Sequence, residues 1–162
     1  MGYIQVGKKF KEYAVAFLET SKYDLEQAEN CLEDGAFANS VFFSQQCVEK
    51  AVKALLEMKG YFEREHDLSA PFLNMIIKKE KDEPKKKLLF EILNELDWFK
   101  GAWQKTRYPQ QKDGKIVAPL LLYSREESQK AIKKAQFVFD EISKILNEKY
   151  KVRITKEMSK EK

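Results

Sequence analysis

The stretch SVFFSQQCVEKAVKALLEMKG, residues 40–60, decides the fold. Spacings of three and four residues place side chains on one face of an α-helix. Such a narrow seam, interrupted once by a glutamine, is formed here by Val41, Gln45, Val48, Val52 and Leu55. The pattern predicts a helix over residues 36–59 that packs against other helices through this face, with Gly60 following its end.

Four further segments show the same helical period. A first helix is predicted over residues 8–34, antiparallel to the helix just described, and a short third helix begins in HDLSAPFL, residues 66–73. The fourth is predicted from Pro84 to Lys105, and the last starts at Ser124 with a capping box. The sequence therefore predicts an all-α fold, an antiparallel bundle of four long helices plus a short helix.

Length and composition predict one domain. A chain of 162 residues with 43% apolar residues can bury its own core, and we assign residues 1–150 to this domain. Residues 151–162 are predicted to form a charged, flexible tail. No run approaches the roughly eighteen apolar residues of a membrane span, and MGYIQVGKKF lacks the order of a signal peptide. We expect a cytoplasmic protein that does not enter a membrane.

Charge and cysteine usage narrow the chemistry. The net charge of +4 is small beside 30 basic and 26 acidic residues, so charge alone gives a weak case for nucleic acid. Enrichment in lysine and glutamate is also typical of proteins from thermophiles. Cys31 and Cys47 lie within helical patterns without the spacing of a metal site, so we expect buried thiols. We predict no metal and no cofactor.

Residues 106–123 show no convincing pattern of their own, and long irregular connections in compact domains are usually functional or disordered. At their start stands TRYP, in which Pro109 is expected to end the fourth helix. The dipole of that helix would favour a cation at Arg107, but a planar guanidinium equally suits a phosphate or a partner carboxylate. Tyr108 is expected either to pack at the helix end or to stack on a ligand. Both interpretations stay open.

These segments together resemble the HEPN domain, a small helical domain of prokaryotes and some large eukaryotic proteins. The likeness covers roughly residues 10–147 through YAVAFLETSKYDLEQAENCLEDGAFANS, SVFFSQQCVEKAVKALLEMKG, HDL, TRYP and the alanine-rich last helix. The resemblance implies a homodimeric bundle of four or five helices. It also implies a gene that is often beside that of a minimal nucleotidyltransferase, as a toxin–antitoxin pair.

Many HEPN proteins are metal-independent ribonucleases, whose signature is an arginine, four to six intervening residues and a histidine. The arginine stabilises charge on the phosphate, and the histidine transfers a proton. After Arg107, the corresponding positions are Lys112, Asp113 and Gly114, and the one histidine of the chain is His66. The proton-transfer half of the signature is therefore missing.

Other side chains remain candidates. His66 is expected to order its loop by bonding to local backbone, with the alternative that it meets Arg107 and Tyr108 in one cleft. Glu49 and Lys53 are spaced to pair one helical turn apart, and Gln45 needs a hydrogen-bond partner, either in a dimer or within one subunit. The aromatic residues, among them Trp98, Phe99 and Trp103, are expected mostly in the core.

The sequence favours a non-catalytic or weakly catalytic binding protein, the partner of a minimal nucleotidyltransferase and a binder of nucleotide or RNA. The alternative is a metal-independent ribonuclease toxin with a degenerate motif, and a third interpretation is a helical scaffold without a small ligand. The predicted binding residues are Arg107, Tyr108, His66, Gln45, Glu49 and Lys53, and the first three are also the candidates for catalysis.

Overall fold

The computed structural model describes residues 8–62 and 65–155. Within them, the α-helices are α1 Lys8–Glu33, α2 Phe37–Glu57, α3 Ser69–Phe72, α4 Glu83–Trp98, α5 Ala102–Lys105 and α6 Arg125–Tyr150. A π-helical turn, Leu73–Ile77, continues α3, and a 3-10 turn, Pro119–Leu121, precedes α6. Two short strands, β1 Gln110–Lys112 and β2 Lys115–Val117, lie between α5 and that turn. The all-α bundle with four long helices is confirmed.

Consecutive long helices alternate in direction. Helices α1 and α2 are antiparallel, because the hydroxyls of Ser21 and Ser40 donate to the carbonyls of Cys47 and Ala28, each at 2.7 Å. Helices α2 and α6 run parallel. Near their starts, Ser128 donates to the Phe37 carbonyl, and farther along both helices Cys47 Sγ lies 4.0 Å from the Ala135 carbonyl oxygen. Serines with buried hydroxyls thus join both helix pairs, and their small side chains let the backbones approach closely.

Helix α2 is the centre of the bundle. It packs against α1 and α6 along its length, and against α3 and α5 at one side. Fourteen of its 21 residues are buried, including polar Gln45, Glu49 and Glu57. A helix covered on so many sides cannot turn every polar group to water, so a buried polar residue on it either finds a partner inside the protein or is costly to bury.

The predicted length of the fourth helix, residues 84–105, is wrong, because the helix ends at Trp98. Gly101 adopts a left-handed conformation with φ 82°, and α5 then starts afresh at Ala102. A left-handed residue cannot continue a right-handed helix, and glycine adopts it without the steric cost that a Cβ brings. The apolar period runs across the break and hides it from the sequence pattern.

Residues 106–123, predicted without structure of their own, contain an antiparallel hairpin. Strands β1 and β2 pair with Lys112 opposite Lys115, so the turn consists of Asp113 and Gly114. Both turn residues have positive φ, 52° and 76°, as the favoured two-residue hairpin turn requires. The dipeptide Asp-Gly is a strong hairpin signal that the sequence contains, but the strands are too short to show alternation.

Helix α6 begins with the predicted capping box, in which the Ser124 hydroxyl accepts from the Glu127 amide and the Glu127 carboxylate accepts from the Ser124 amide. It ends at Tyr150, and the next residue, Lys151, is left-handed with φ 57°. Val152 then folds back into the core, where it is 1% exposed, and its amide donates to the Leu146 carbonyl. The first residues of the predicted tail therefore pack on the domain, and residues 156–162 lie outside the described residues.

Candidate functional site

A cleft opens where α2 passes the start of α3 and the break between α4 and α5. Its volume is about 220 Å³, and its polar and aromatic lining includes Gln45, Glu49, His66, Ser69, Lys100 and Trp103. Pockets for drug-sized ligands usually measure about 300–1,000 Å³. The cleft is therefore smaller than a typical pocket for a drug-sized ligand.

A buried carboxylate and a histidine meet at the wall of this cleft. His66 Nδ1 lies 2.7 Å from Glu49 Oε1, and the Glu49 side chain is only 3% exposed whereas that of His66 is 55% exposed. Lys53 Nζ lies 3.9 Å from the same carboxylate oxygen, as the one-turn spacing predicts. The imidazole is thus held from behind by a buried acid and stays open to solvent on its other side.

The predicted hydrogen-bond partner of His66 is wrong. The sequence predicts a bond to local backbone, but the ring reaches across to α2 and bonds the Glu49 carboxylate. The physical reason is the burial of Glu49, because a charged group removed from water requires a hydrogen-bonding or charged partner. Sequence separation conceals the pairing, since the two residues belong to different elements.

Trp103 is the site residue that the sequence pattern misses. The pattern assigns it to the core, whereas it is only half-buried and lines the cleft. Its ring stacks on His66, with centroids 5.0 Å apart and planes 26° apart. Of the other aromatic residues assigned to the core, Phe99 is buried and Trp98 is 39% exposed. The glycine break directs Trp103 to the cleft, and the helical period could not indicate that.

Arg107 is exposed and contacts aromatic rings. Its Cζ lies 5.1 Å from the centroid of Trp103 and 5.3 Å from that of Phe42. No carboxylate lies within 4 Å of its guanidinium among residues 8–62 and 65–155, so the described part of the chain gives it no ion pair. Tyr108, 49% exposed, lies with its ring centroid 6.2 Å from that of Trp103. Both residues are therefore accessible at the edge of the cleft.

Gln45 finds its partner within the subunit. Its Oε1 accepts a hydrogen bond of 2.7 Å from Gln46 Nε2, and Gln46 Oε1 accepts one of 2.8 Å from Lys50. Lys50 Nζ lies 3.6 Å from a carboxylate oxygen of Asp24 on α1. Burial raises the pKa of Asp24, and Lys50 opposes that shift. This chain of polar groups links the cleft to the interface of α1 and α2.

The structure thus gathers the predicted residues around one place. Gln45, Glu49 and His66 line the cleft, and Lys53 supports Glu49. Arg107 and Tyr108 reach the cleft through their contacts with Trp103. The positions where the ribonuclease signature would put a histidine, by contrast, form the tip of the hairpin and carry lysine, aspartate and glycine.

The segment around Arg107 carries the whole charge surplus of the chain. Residues 105–125 contain five cations, Lys105, Arg107, Lys112, Lys115 and Arg125, and one anion, Asp113. Their formal charge of +4 equals the net charge of the protein, so the remainder is balanced. A local excess of positive charge attracts phosphates, and its effect is invisible in the modest overall charge.

The thiols lie away from the cleft. Cys47 is fully buried, and burial raises its pKa to about 12, which makes it a poor nucleophile at neutral pH. Cys31 is half-buried, less than predicted. Across residues 8–62 and 65–155, no three histidine, cysteine or acidic side chains group as a metal site. No helix in the described part of the chain is both long and apolar enough to cross a membrane.

Comparison with known proteins agrees with this architecture. The family model described as HEPN domain matches residues 14–146. The chain is 34% identical over 139 residues to the protein named "Putative toxin MJ1304" of Methanocaldococcus jannaschii. That match covers 86% of this chain and 91% of the relative.

Two solved structures are similar in fold. The crystal structure of ST0689, an archaeal HEPN homologue, has a TM-score of 0.59 and 24% identity, covering 80% of this chain and 93% of that chain. The crystal structure of TT1696 from Thermus thermophilus has a TM-score of 0.59 and 23% identity, covering 81% of this chain and 96% of that chain. At these identities, the likeness supports the fold alone.

Proposed function

Because this chain belongs to the HEPN domain family, we propose that it is the toxin-type member of a toxin–antitoxin pair and binds RNA or a nucleotide in its cleft. A minimal nucleotidyltransferase is its protein partner in this proposal, the active form is a homodimer, and the pair works in the cytoplasm. The toxin role is supported by the name of the Methanocaldococcus relative, and the partner by the family resemblance.

One observation carries the ligand proposal: His66, Trp103 and Arg107 form a contiguous aromatic and cationic surface at the cleft. Two rings stack 5.0 Å apart, and the guanidinium lies over the second ring without an ion pair from the described residues. Proteins hold single-stranded nucleic acid with this combination of stacked rings and basic groups. The +4 segment beside the cleft adds attraction for the phosphate backbone.

Binding is tested with short fluorescent single-stranded RNAs, whose anisotropy reports the bound fraction. Arg107→Ala should weaken binding on the order of tenfold, because it removes both a charge and a stacking surface. The matched control is Arg125→Ala, since Arg125 belongs to the same basic segment and lies 5.1 Å over a Phe37 ring. Equal losses of affinity in both variants would mean that only the overall positive charge matters. Unchanged binding by Arg107→Ala would refute the proposed cleft.

The second candidate function is a metal-independent ribonuclease, and the Glu49–His66 bond favours it. With Nδ1 bonded to a carboxylate, the ring can exchange a proton through Nε2, an arrangement typical of histidine in acid–base catalysis. In such a reaction Nε2 takes the ribose 2′-hydroxyl proton while that oxygen attacks phosphorus. The bond from phosphorus to the 5′-oxygen breaks, and the 5′-oxygen takes a proton from water. Arg107 would stabilise the charge on the phosphate oxygens.

Cleavage is tested by incubating mixed RNAs with the protein in EDTA. The ribonuclease candidate requires cleavage that leaves 2′,3′-cyclic phosphate ends and disappears in both His66→Gln and Arg107→Ala. Binding without cleavage would leave the non-catalytic form of the proposal, in which toxicity depends on occupying RNA or on the partner.

Partner and assembly are tested together. Co-expression with a nucleotidyltransferase encoded next to this gene should yield one complex on size-exclusion chromatography with light scattering, and the protein alone should have the mass of two chains. A monomer, or two proteins that elute separately, would contradict the corresponding part of the proposal.

A further inference from the structure

We propose that Glu49 is a positioning residue that sets the hydrogen-bonding role of His66, and thereby gives the cleft a preference for ribose over deoxyribose. The inference rests on the proposed use of the cleft for RNA. Its first test, however, is made on the protein without any ligand.

The chemistry of the two partners assigns the proton between them. A carboxylate can only accept hydrogen bonds, whereas each nitrogen of a neutral imidazole either donates or accepts. Since Glu49 Oε1 lies 2.7 Å from His66 Nδ1, that nitrogen must carry the proton. Lys53 lies 3.9 Å from the same oxygen and provides a compensating charge for the buried carboxylate. The neutral ring is therefore the Nδ1–H form, with Nε2 unprotonated.

A second contact fixes the plane of the ring. Trp103 stacks on the imidazole at 5.0 Å, with 26° between the planes. Turning the ring over by 180° would put Cδ2 in the place of Nδ1, and the bond to Glu49 would be lost. One contact at the edge and one on the face together hold a single orientation, although more than half of the side chain is exposed.

The consequence concerns the ligand. With Nδ1 occupied, Nε2 is the nitrogen that remains for a bound molecule, and in the neutral ring it accepts a hydrogen bond. A ribose 2′-hydroxyl can donate to it, whereas deoxyribose has no such group, and the 2′-hydroxyl is what distinguishes RNA from DNA at a binding site. Glu49 needs no contact with the ligand, because it acts through His66.

The first experiment uses the fact that the chain has one histidine. In uniformly ¹⁵N-labelled protein, one imidazole gives two nitrogen signals, and long-range proton–nitrogen correlation identifies which nitrogen is protonated. In alkaline buffer, where an imidazole is neutral, the wild type should show a protonated Nδ1. A predominant Nε2–H form in the folded wild type would overturn the proposal without reference to any variant.

The variant that tests the cause is Glu49→Gln, which keeps the shape and removes the obligatory acceptor. An amide can turn its oxygen or its NH₂ group to Nδ1, so the signals should shift toward a mixture of both forms. The control is Glu95→Gln, the same chemical change at a carboxylate that does not line the cleft. Glu95 Oε2 pairs with Lys134 Nζ at a distance of 2.8 Å. It should leave the His66 signals unchanged, and unchanged signals in Glu49→Gln would overturn the positioning role.

The second experiment compares matched ribo- and deoxyribo-oligonucleotides. The wild type should bind the ribose form on the order of tenfold more tightly, Glu49→Gln should bring this ratio near one, and Arg107→Ala should weaken both forms equally. A ratio that survives Glu49→Gln would overturn the specificity role. If no oligonucleotide binds but Nδ1 is protonated, the proposed function fails together with the ribose preference, and the positioning of His66 by Glu49 is upheld.

Discussion

His66 and Trp103 stack with ring centroids 5.0 Å apart, and this contact joins the loop before α3 to the helix that follows the glycine break. Neither residue belongs to the helical faces that form the core. On one side, His66 bonds Glu49 of α2, and on the other side, Trp103 contacts Arg107. The stacked rings therefore connect Glu49 with Arg107. A substitution of either ring should therefore alter the surroundings of both Glu49 and Arg107.

This contact makes Trp103 an optical reporter of the cleft. The chain has two tryptophans, so Trp98→Phe leaves Trp103 as the single one. We expect single-stranded RNA to change the fluorescence of that variant in a saturable way, because a base or phosphate at the cleft alters the surroundings of the ring. Trp103→Phe, which retains Trp98, should give no saturable change, and a response from Trp98 alone would place the ligand elsewhere.

Replacing Gly101 should destabilise the protein. Gly101 has φ 82°, and a Cβ there would meet only Lys105 Cε at 4.0 Å, so the cost is backbone strain and not a clash. Gly101→Ala should lower the free energy of unfolding by about 1 kcal/mol, measured by urea denaturation. Gly101→Asn should lose less, because asparagine tolerates the left-handed region better than alanine does. Equal losses would mean that side-chain contacts dominate.

Removing the hydroxyl of Ser40 should loosen the pair α1–α2. Ser40 is 0% exposed and donates at 2.7 Å to the Ala28 carbonyl, so Ser40→Ala should cost about 1 kcal/mol in the free energy of unfolding. Thr20→Ala is the control, since the exposed Thr20 hydroxyl bonds the Ala16 carbonyl of its own helix at 2.8 Å. Its change should stay within about 0.5 kcal/mol. A larger loss in the control would argue against the special role of the interhelical bond.

Glu57 should make stability depend on pH. It is 5% exposed, its Oε2 has no hydrogen-bond partner among the described residues, and burial raises its pKa from 4.5 to about 7. The folded protein therefore holds a proton between these values that the unfolded chain releases. Its contribution to stability is full below pH 4.5 and is lost as the pH rises to about 7.

The neutral variant Glu57→Gln tests this sign. Relative to the wild type, it should gain on the order of 1–3 kcal/mol at about pH 8 and much less at about pH 5, in urea denaturation at both values. The largest gain at the lower pH, or the same difference at both pH values, would show that burial does not control the titration of this carboxyl group.

The sequence predicts what depends on periodicity. The apolar spacing within α1, α2 and α6 recovers these helices to within a few residues of their observed ends, because a core-facing stripe leaves a direct trace in the chain. The capping box at Ser124 is equally local. The break at Gly101 escapes, since the apolar spacing continues through it and one glycine does not oblige a helix to stop.

The site is predicted only in part. Arg107, Tyr108 and His66 are unusual residues at helix ends, and their types alone point to chemistry. Glu49 stands out in the sequence for its spacing to Lys53, but its bond to His66 depends on how α2 and the loop pack. Trp103 escapes because an aromatic residue in an apolar pattern is usually core, and only the glycine break turns its ring to the cleft.

The position of the Trp103 ring depends on the number of residues between α4 and α5, on either side of Gly101. A helix turns by about 100° for each residue, so an insertion between Leu96 and Trp103 would rotate the Trp103 ring away from His66 and carry Arg107 with it. The hairpin tip at Asp113 and Gly114 is exposed, and no helix follows it directly whose rotation an insertion would change. Insertions should therefore be tolerated at the hairpin, whereas between α4 and α5 the number of residues sets the geometry of the cleft.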